Sequence, residues 1–205
     1  MYVILVFQQI AAGSKIFKKF FQKVCDLLQF SDVLMTGGHK VGVSETPKDT
    51  LSAAYDKYSD MLFRLALAQL GNSDDAMDAV HDVFLKFFDV KPHFKDSEHE
   101  RAWFIRSTVN RCHDIQRHKK IRSHPSLDEI GDVVAHGDDS EAARQLYRAL
   151  SFIPEKYSSV ITLYYLEGFS VEEIASMLMI TQSGVKMRLS RGRDALRKYI
   201  ETEEE

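Results

Sequence analysis

The densest chemistry in the sequence lies at residues 181–193, "TQSGVKMRLSRGR", where amide, hydroxyl and cationic side chains recur at helical spacing. Gln182, Ser183 and Lys186 fall early in such a helix, where side chains reach base edges in a major groove. Gln pairs best with adenine and Lys with guanine. Setting Val185 inward leaves Ser183, Met187, Ser190 and Asp194 opposite it. Lys186 and Arg193 flank one side, and Arg188 and Arg191 the other, at a reach suited to phosphates. Thr181 would cap the helix, and its N-terminal end can add a phosphate contact. The chemistry is recognition of duplex DNA. A solvated charged face is the competing reading of the same residues.

Bond-making chemistry is not signalled. There is no Gly-rich phosphate loop, nucleophile elbow or HExxH motif. The two cysteines, Cys25 and Cys112, make no disulfide framework and fit a reducing, cytoplasmic setting. Cys112 and His113, with His118 and His124 beyond, lack the paired-Cys spacing of a zinc site. Asp74 and Asp75 sit at a helix start, where the helix dipole explains them. Neither a metal nor a cofactor is expected, and a nuclease assembled from scattered Asp and His is the disfavoured enzyme alternative.

The elements that must position these residues are helices. "VEEIASML" and the helix after it form a short pair. Ser170 and Glu173 make a capping box for the first, with Ile174, Ala175 and Leu178 facing inward. Val185, Leu189, Gly192, Leu196 and Ile200 form the inner stripe of the second. Met179 falls at the turn, where a left-handed backbone would suit Gly and a side chain costs about 1–2 kcal/mol. Upstream, a helix from Glu141 to about Ser151 is followed by one opened by Pro154. That helix carries Tyr157, Val160, Ile161, Tyr164 and Tyr165, and closes at Gly168.

A second helical group precedes it. Thr50 can cap a helix with Leu51, Ala54, Tyr55, Tyr58, Leu62 and Leu65 on one stripe, ending near Gly71. Ser73 can cap the next, whose inward residues are Ala76, Val80, Val83, Phe84, Phe87 and Phe88, and which Pro92 ends. A third runs from about His99 to Lys120, with Ala102, Trp103, Arg106, Val109 and Cys112 inward and a basic opposite side. The formal charge is −3, but it hides blocks. Arg101 to His124 holds seven Lys or Arg and one acid, whereas Asn72 to Asp89 holds five Asp and one Lys.

The expected fold is all-α: two small helical domains joined by a flexible acidic linker, the C-terminal one a helix-turn-helix. The boundaries are an extension at 1–49, a first domain at 50–121, the linker at 122–140, a second domain at 141–201 and an acidic tail at 202–205. Within the extension, "SKIFKKFFQKVCDLLQF" has the spacing of a basic amphipathic helix, which can lie on a membrane or pack on a neighbour. No run of about twenty apolar residues supports stable membrane insertion.

Two blocks in this order resemble a known family. "SVEEIASMLMITQSGVKMRLSRGRDALRKYI", with "FIPEKYSSVITLYYLEGFS" before it, looks like the C-terminal helix-turn-helix of the extracytoplasmic-function (ECF) group of bacterial RNA polymerase sigma factors. "YDKYSDMLFRLALAQLGNSDDAMDAVHDVFLKFFD" and "RAWFIRSTVNRCHDIQRHKK" resemble that family's first conserved domain and its promoter-reading helix. The resemblance implies a non-catalytic subunit that joins core RNA polymerase, directs it to promoter DNA and helps open the duplex; an anti-sigma factor is a family expectation.

By this resemblance Asp78, His81, Asp82 and Phe84 match the segment that binds core polymerase; His81-Asp82 stands where Gln-Glu is frequent. Arg106, Asn110, Arg111, Asp114 and Arg117 match the helix that engages the −10 element. The loop from Phe94 through Lys95, Asp96 and Ser97 to His99 matches the one that captures a flipped base, and departs from the frequent Arg-Gly-Glu-Ser pattern. Thr181, Gln182, Ser183, Lys186, Arg188, Arg191 and Arg193 would engage the −35 element. A sigma-like adaptor that binds only protein, and a stand-alone helix-turn-helix regulator, remain alternatives.

Overall fold

A computed structural model describes residues 47–122 and 141–203, all of it helical apart from turns and short loops. The expectations for the amphipathic extension, the acidic linker and the last residues of the tail lie outside the described residues. In chain order the elements are α1 (Pro47–Leu70), α2 (Ser73–Val90), α3 (Ser97–Arg122), α4 (Glu141–Phe152), α5 (Glu155–Ile161), α6 (Val171–Leu178) and α7 (Gln182–Glu203). Thr162–Leu166, between α5 and α6, is a π-helical turn.

The first three helices enclose an aromatic core. Phe84 and Phe104 are fully buried with ring centroids 5.3 Å apart, and Tyr55, Tyr58 and Phe87 each lie within 5.0 Å of one of these two rings. Leu62, Leu65 and Ile105 complete the core with no exposed surface. Rings at these separations add to the burial of their area.

Helix starts follow local chemistry, with small shifts from the expected positions. α1 begins at Pro47 and not at a Thr50 cap; proline has the φ of a first helical turn and no N–H to leave unsatisfied. The cap of α2 is Asn72, one residue before Ser73, and its side chain accepts from the Asp75 N–H at 2.9 Å. α2 ends as Lys91 turns left-handed, at φ 46°. Asp96 caps α3, accepting from the His99 N–H at 2.7 Å. Ser170 and Glu173 form the expected capping box on α6, and Thr181 accepts from the Gly184 N–H at 3.0 Å to cap α7.

α3 does not have the single inward stripe expected of it. Phe104, Ile105, Ser107, Thr108 and Cys112 are buried, whereas Trp103 and Val109 are half-exposed. The reason is that α3 packs on α1 and α2 with one side and on α6 with another. α1 is similarly surrounded: it contacts α2 and α3 but also α4 and α5, and every residue from Leu65 to Gln69 is buried. The two helical groups are therefore packed together within one compact unit. Gly71, at φ +64°, permits the approach: a Cβ there would stand 2.5 Å from Ser151 Oγ.

In the C-terminal group the π turn ends the stripe expected to run through Tyr164 and Tyr165. Those rings are exposed, while Val160, Ile161 and Leu163 are buried. On α6 the buried face is Ile174, Ala175 and Met177, with Leu178 only half-buried. On α7, Val185, Leu189 and Gly192 are buried, Leu196 is half-buried, and Ile200 is exposed beyond the last packing partner. Gly192 fits under Ile161, whose Cδ1 would lie 2.5 Å from any added Cβ.

The α6–α7 turn keeps left-handed geometry in spite of its residue. Met179 has φ 56° and ψ 43°, and the Ile180 N–H closes the turn on the Ala175 carbonyl at 3.0 Å. The Met179 side chain is 78% exposed, so little packing offsets the backbone cost. Met179→Gly is expected to raise unfolding stability by about 0.5–1 kcal/mol in denaturant titration, the relief of the left-handed strain less the added entropy of the unfolded chain. A lower stability would show that the methionine makes contacts outweighing the strain.

Candidate nucleic-acid and polymerase interface

The helix-turn-helix presents α7 as a ledge. Val185 and Leu189 anchor it to the domain, and Gln182, Ser183, Lys186, Met187, Ser190, Arg191 and Arg193 stand exposed. Arg188 is half-buried, and Thr181 is exposed and bonded to Ser183 at 3.0 Å. Arg193 donates to the Tyr165 hydroxyl at 3.2 Å. The start of α7 thus exposes Gln182, Ser183 and Lys186, with Arg191 and Arg193 exposed further along the helix.

On α3 the residues singled out diverge. Positions 106, 110, 113 and 117 follow one another at intervals of four, three and four, so they share a face. Asn110 and Arg117 are exposed on it. Arg106 donates to the Met177 carbonyl of α6 at 3.0 Å. His113, not singled out from sequence, lies 3.2 Å from the Glu155 carboxylate at the start of α5. Arg111 points elsewhere, to Asp82 of α2 at 2.6 Å. Asp114 pairs with Arg117 at 2.8 Å.

The loop before α3 is held by its aromatic residue. The Phe94 ring stacks parallel to Phe87 at 6.3 Å and meets Trp103 and His99 edge-on. Lys95, Asp96 and Ser97 remain exposed, although the Asp96 carboxylate is engaged in capping. Beside this loop opens a cleft of about 550 Å³ between the start of α3 and α6, lined among others by Asp96, His99, Arg101, Arg106, Glu172 and Met177.

On α2, Asp78 is exposed, and His81 and Asp82 are half-exposed. Phe84 is fully buried against Tyr55 and Phe104, so it cannot touch a partner directly and instead holds the helix in place. The Arg111–Asp82 pair joins this α2 face to α3.

Sequence reasoning missed the residues that join the two groups. Arg64 of α1 grips Glu167 with two bonds, of 2.7 and 2.9 Å. Arg101 stands over the Phe169 ring at 4.9 Å and lies 3.7 Å from Glu173. These partners are separated by tens of residues, and no spacing pattern links them.

Titration follows the same contacts. Burial pushes the Cys112 thiol up to about 12, so it is an inert packed group and not a nucleophile. Hydrogen bonds from Ser170, backbone first and then side chain, hold Glu173 below the ordinary carboxylate range, and Arg101 adds to the effect. Among the described residues no cluster of His, Cys, Asp or Glu could hold a metal ion, and no helix is long and apolar enough to cross a membrane.

A helix-turn-helix with an exposed polar first turn, packed beside a second helical group with its own polar and basic face, defines a DNA-binding protein of two modules. Comparison with known proteins sharpens the class. Residues 54–122 match Sigma-70 region 2, and residues 143–196 match Sigma-70, region 4. The chain is 28% identical over 173 residues to the ECF RNA polymerase sigma factor SigW of Bacillus subtilis, covering 77% of this chain and 92% of that one. It is 31% identical over 132 residues to the RNA polymerase sigma factor SigZ of the same organism, covering 60% and 72%. In fold it resembles the sigma factor RpoE of Bartonella quintana, solved in complex with the anti-sigma factor NepR. The TM-score is 0.55 at 19% identity, covering 75% of this chain and 96% of that one. The chain belongs to the ECF group of the sigma-70 family of RNA polymerase sigma factors. It is a transcription-initiation subunit that binds core RNA polymerase and recognises promoters, and it is not an enzyme.

Because the Glu173 carboxyl is depressed in the folded state, the stability it contributes is present above its unfolded value. That contribution is lost as pH falls through the lower folded value. The difference in melting temperature between wild type and Glu173→Gln should therefore be largest near neutral pH and close below about pH 4. A difference independent of pH would show that the carboxylate's charge plays no part in the cap.

Proposed function

We propose that the two helical groups read two promoter elements, with residue roles as follows. The first turn of α7, Gln182, Ser183 and Lys186, meets base edges of the −35 element in the major groove. Thr181, Arg188, Arg191 and Arg193 meet its phosphates. Asn110 of α3 meets a base of the −10 element, while Arg106, Arg111, Asp114 and Arg117 orient that helix and its backbone contacts. Lys95, Asp96 and Ser97, on a loop anchored by Phe94, border the place where an unpaired base is received; unstacking it costs a few kcal/mol, which such contacts must offset. Asp78, His81 and Asp82 on α2 face core polymerase, with Phe84 holding that helix from inside. The protein works in the cytoplasm, where its polymerase is, and an anti-sigma factor is a fitting regulator, as for the Bartonella quintana relative.

The observation that carries the reading is the exposed polar first turn of α7 on a buried Val185–Leu189 anchor, in the same unit as an α3 that still exposes Asn110 and Arg117. Reconstituted with core polymerase on a promoter library, the chain is expected to support initiation. Absence of both core binding and initiation would defeat the reading. In salt titrations of holoenzyme–promoter binding, Arg188→Ala and Arg191→Ala should each flatten the log–log slope by about 1. Asn110→Ala should cost about 1–3 kcal/mol on promoters with an intact −10 element and less on those without it.

A further inference from the structure

The outward face of α7 holds one apolar side chain between two hydroxyls. Ser183, Met187 and Ser190 follow one another at intervals of four and three, so they share a face. All three are exposed, on the far side of the helix from Val185 and Leu189, which are 0% and 5% exposed. Lys186 lies to one side of Met187 and Arg188 to the other. Cations so placed suit the phosphates that border a groove, which leaves the stripe between them for base edges. The stripe ends at Asp194, whose exposed carboxylate a phosphate would repel.

Within this stripe Met187 has the longest reach. The serine side chains are short, and Ser183 Oγ lies 3.0 Å from Thr181 Oγ1, which itself caps α7. Met187 is 46% exposed. The other exposed large apolar residue of α7 is Ile200, beyond Asp194, and the exposed Met179 stands on the turn before the helix. A single exposed apolar side chain is ordinary on a surface. This one sits at the centre of the face that a groove would cover. Its thioether has no donor and is only a weak acceptor. A base carbonyl or amino group facing it would therefore lose water without gaining a partner. The apolar group that the major groove offers is the C5-methyl of thymine.

We infer that Met187 is a specificity-determining residue for the −35 element: its side chain packs on a thymine C5-methyl and disfavours cytosine at that position. Cytosine lacks the methyl and presents an amino group that the thioether cannot satisfy, so attraction to one base and a penalty on the other act together. The role rests on the assignment of the start of α7 to the −35 element.

The test uses holoenzyme on a promoter that the wild-type chain selects from the library. Each thymine of the −35 element, on either strand, is replaced in turn by deoxyuridine, which removes the C5-methyl and keeps the hydrogen-bonding edge. Affinity is measured for wild type and for Met187→Ala, with circular dichroism showing that the variant is folded. At one position the replacement should weaken wild type about fourfold, the worth of one buried methyl group, and leave Met187→Ala unchanged. Cytosine at that position should weaken wild type further. A methyl whose loss costs both proteins equally, or an element with no methyl-sensitive position, would overturn the role of Met187. The salt slopes of Arg188→Ala and Arg191→Ala are read on the same promoter. Unchanged slopes remove the assignment of α7 to the −35 element and the role of Met187 together, whereas flattened slopes beside equal methyl costs remove the role of Met187 alone.

Discussion

α1 and α3 have to satisfy neighbours on two sides at once, and most of the structure follows from that constraint. α3 places Phe104 against Phe84 and Phe87 on one flank, and sends Arg101 and Arg106 toward Phe169 and Met177 on another. α1 buries Leu62 and Leu65 against its own group and presents Arg64 and the Ala68 carbonyl to Glu167 and Ser158. A helix used this way cannot be amphipathic in the simple sense, because apolar and polar positions are needed all round it. The same constraint makes the gap at Gly71 indispensable, since Ser151 occupies the space a side chain would need.

Function is layered on this arrangement unevenly. α7 is free of the constraint: Val185, Leu189 and Gly192 are its buried positions, and its first turn is exposed. α3 is not free, because its polar side is partly engaged by the C-terminal group. α2 lies between these cases, joined to α3 through Asp82 and Arg111 while exposing Asp78. Two weak readers gain from being tied together, since the second contact is then made at high effective concentration.

What the sequence made legible tracks how local each determinant is. The Ser170–Glu173 capping box, the Thr181 cap, the Gly168 stop and the Val185–Leu189 anchor depend on residues three or four apart, and the structure has them all. The left-handed turn at Met179 was legible as a conflict, and the backbone keeps the turn at the residue's expense. The one-residue shift to Asn72 reflects a neighbouring residue able to do the same capping work, and the earlier start of α1 reflects a proline whose φ suits a first helical turn. The stripe on α3 was misjudged because periodicity assumes one packed face, whereas α3 buries Phe104 and Ile105 in the core of its own group and turns Arg101 and Arg106 to Phe169 and Met177 on another side. The π turn that exposes Tyr164 and Tyr165 has no composition signal of its own. Least legible was the Arg64–Glu167 pair: two ordinary charged residues 103 positions apart acquire meaning only once the fold brings them together.

The central claim is that one chain reads one promoter at two separate places, with α3 at one and the first turn of α7 at the other. Site-specific photocrosslinking in the holoenzyme–promoter complex tests it most directly, with a crosslinking amino acid at Asn110 or at Ser183. The account predicts that Asn110 crosslinks to the −10 element and Ser183 to duplex DNA at the −35 element, each without the other's product. Crosslinks from both positions to the same element, or from neither to DNA, would contradict it.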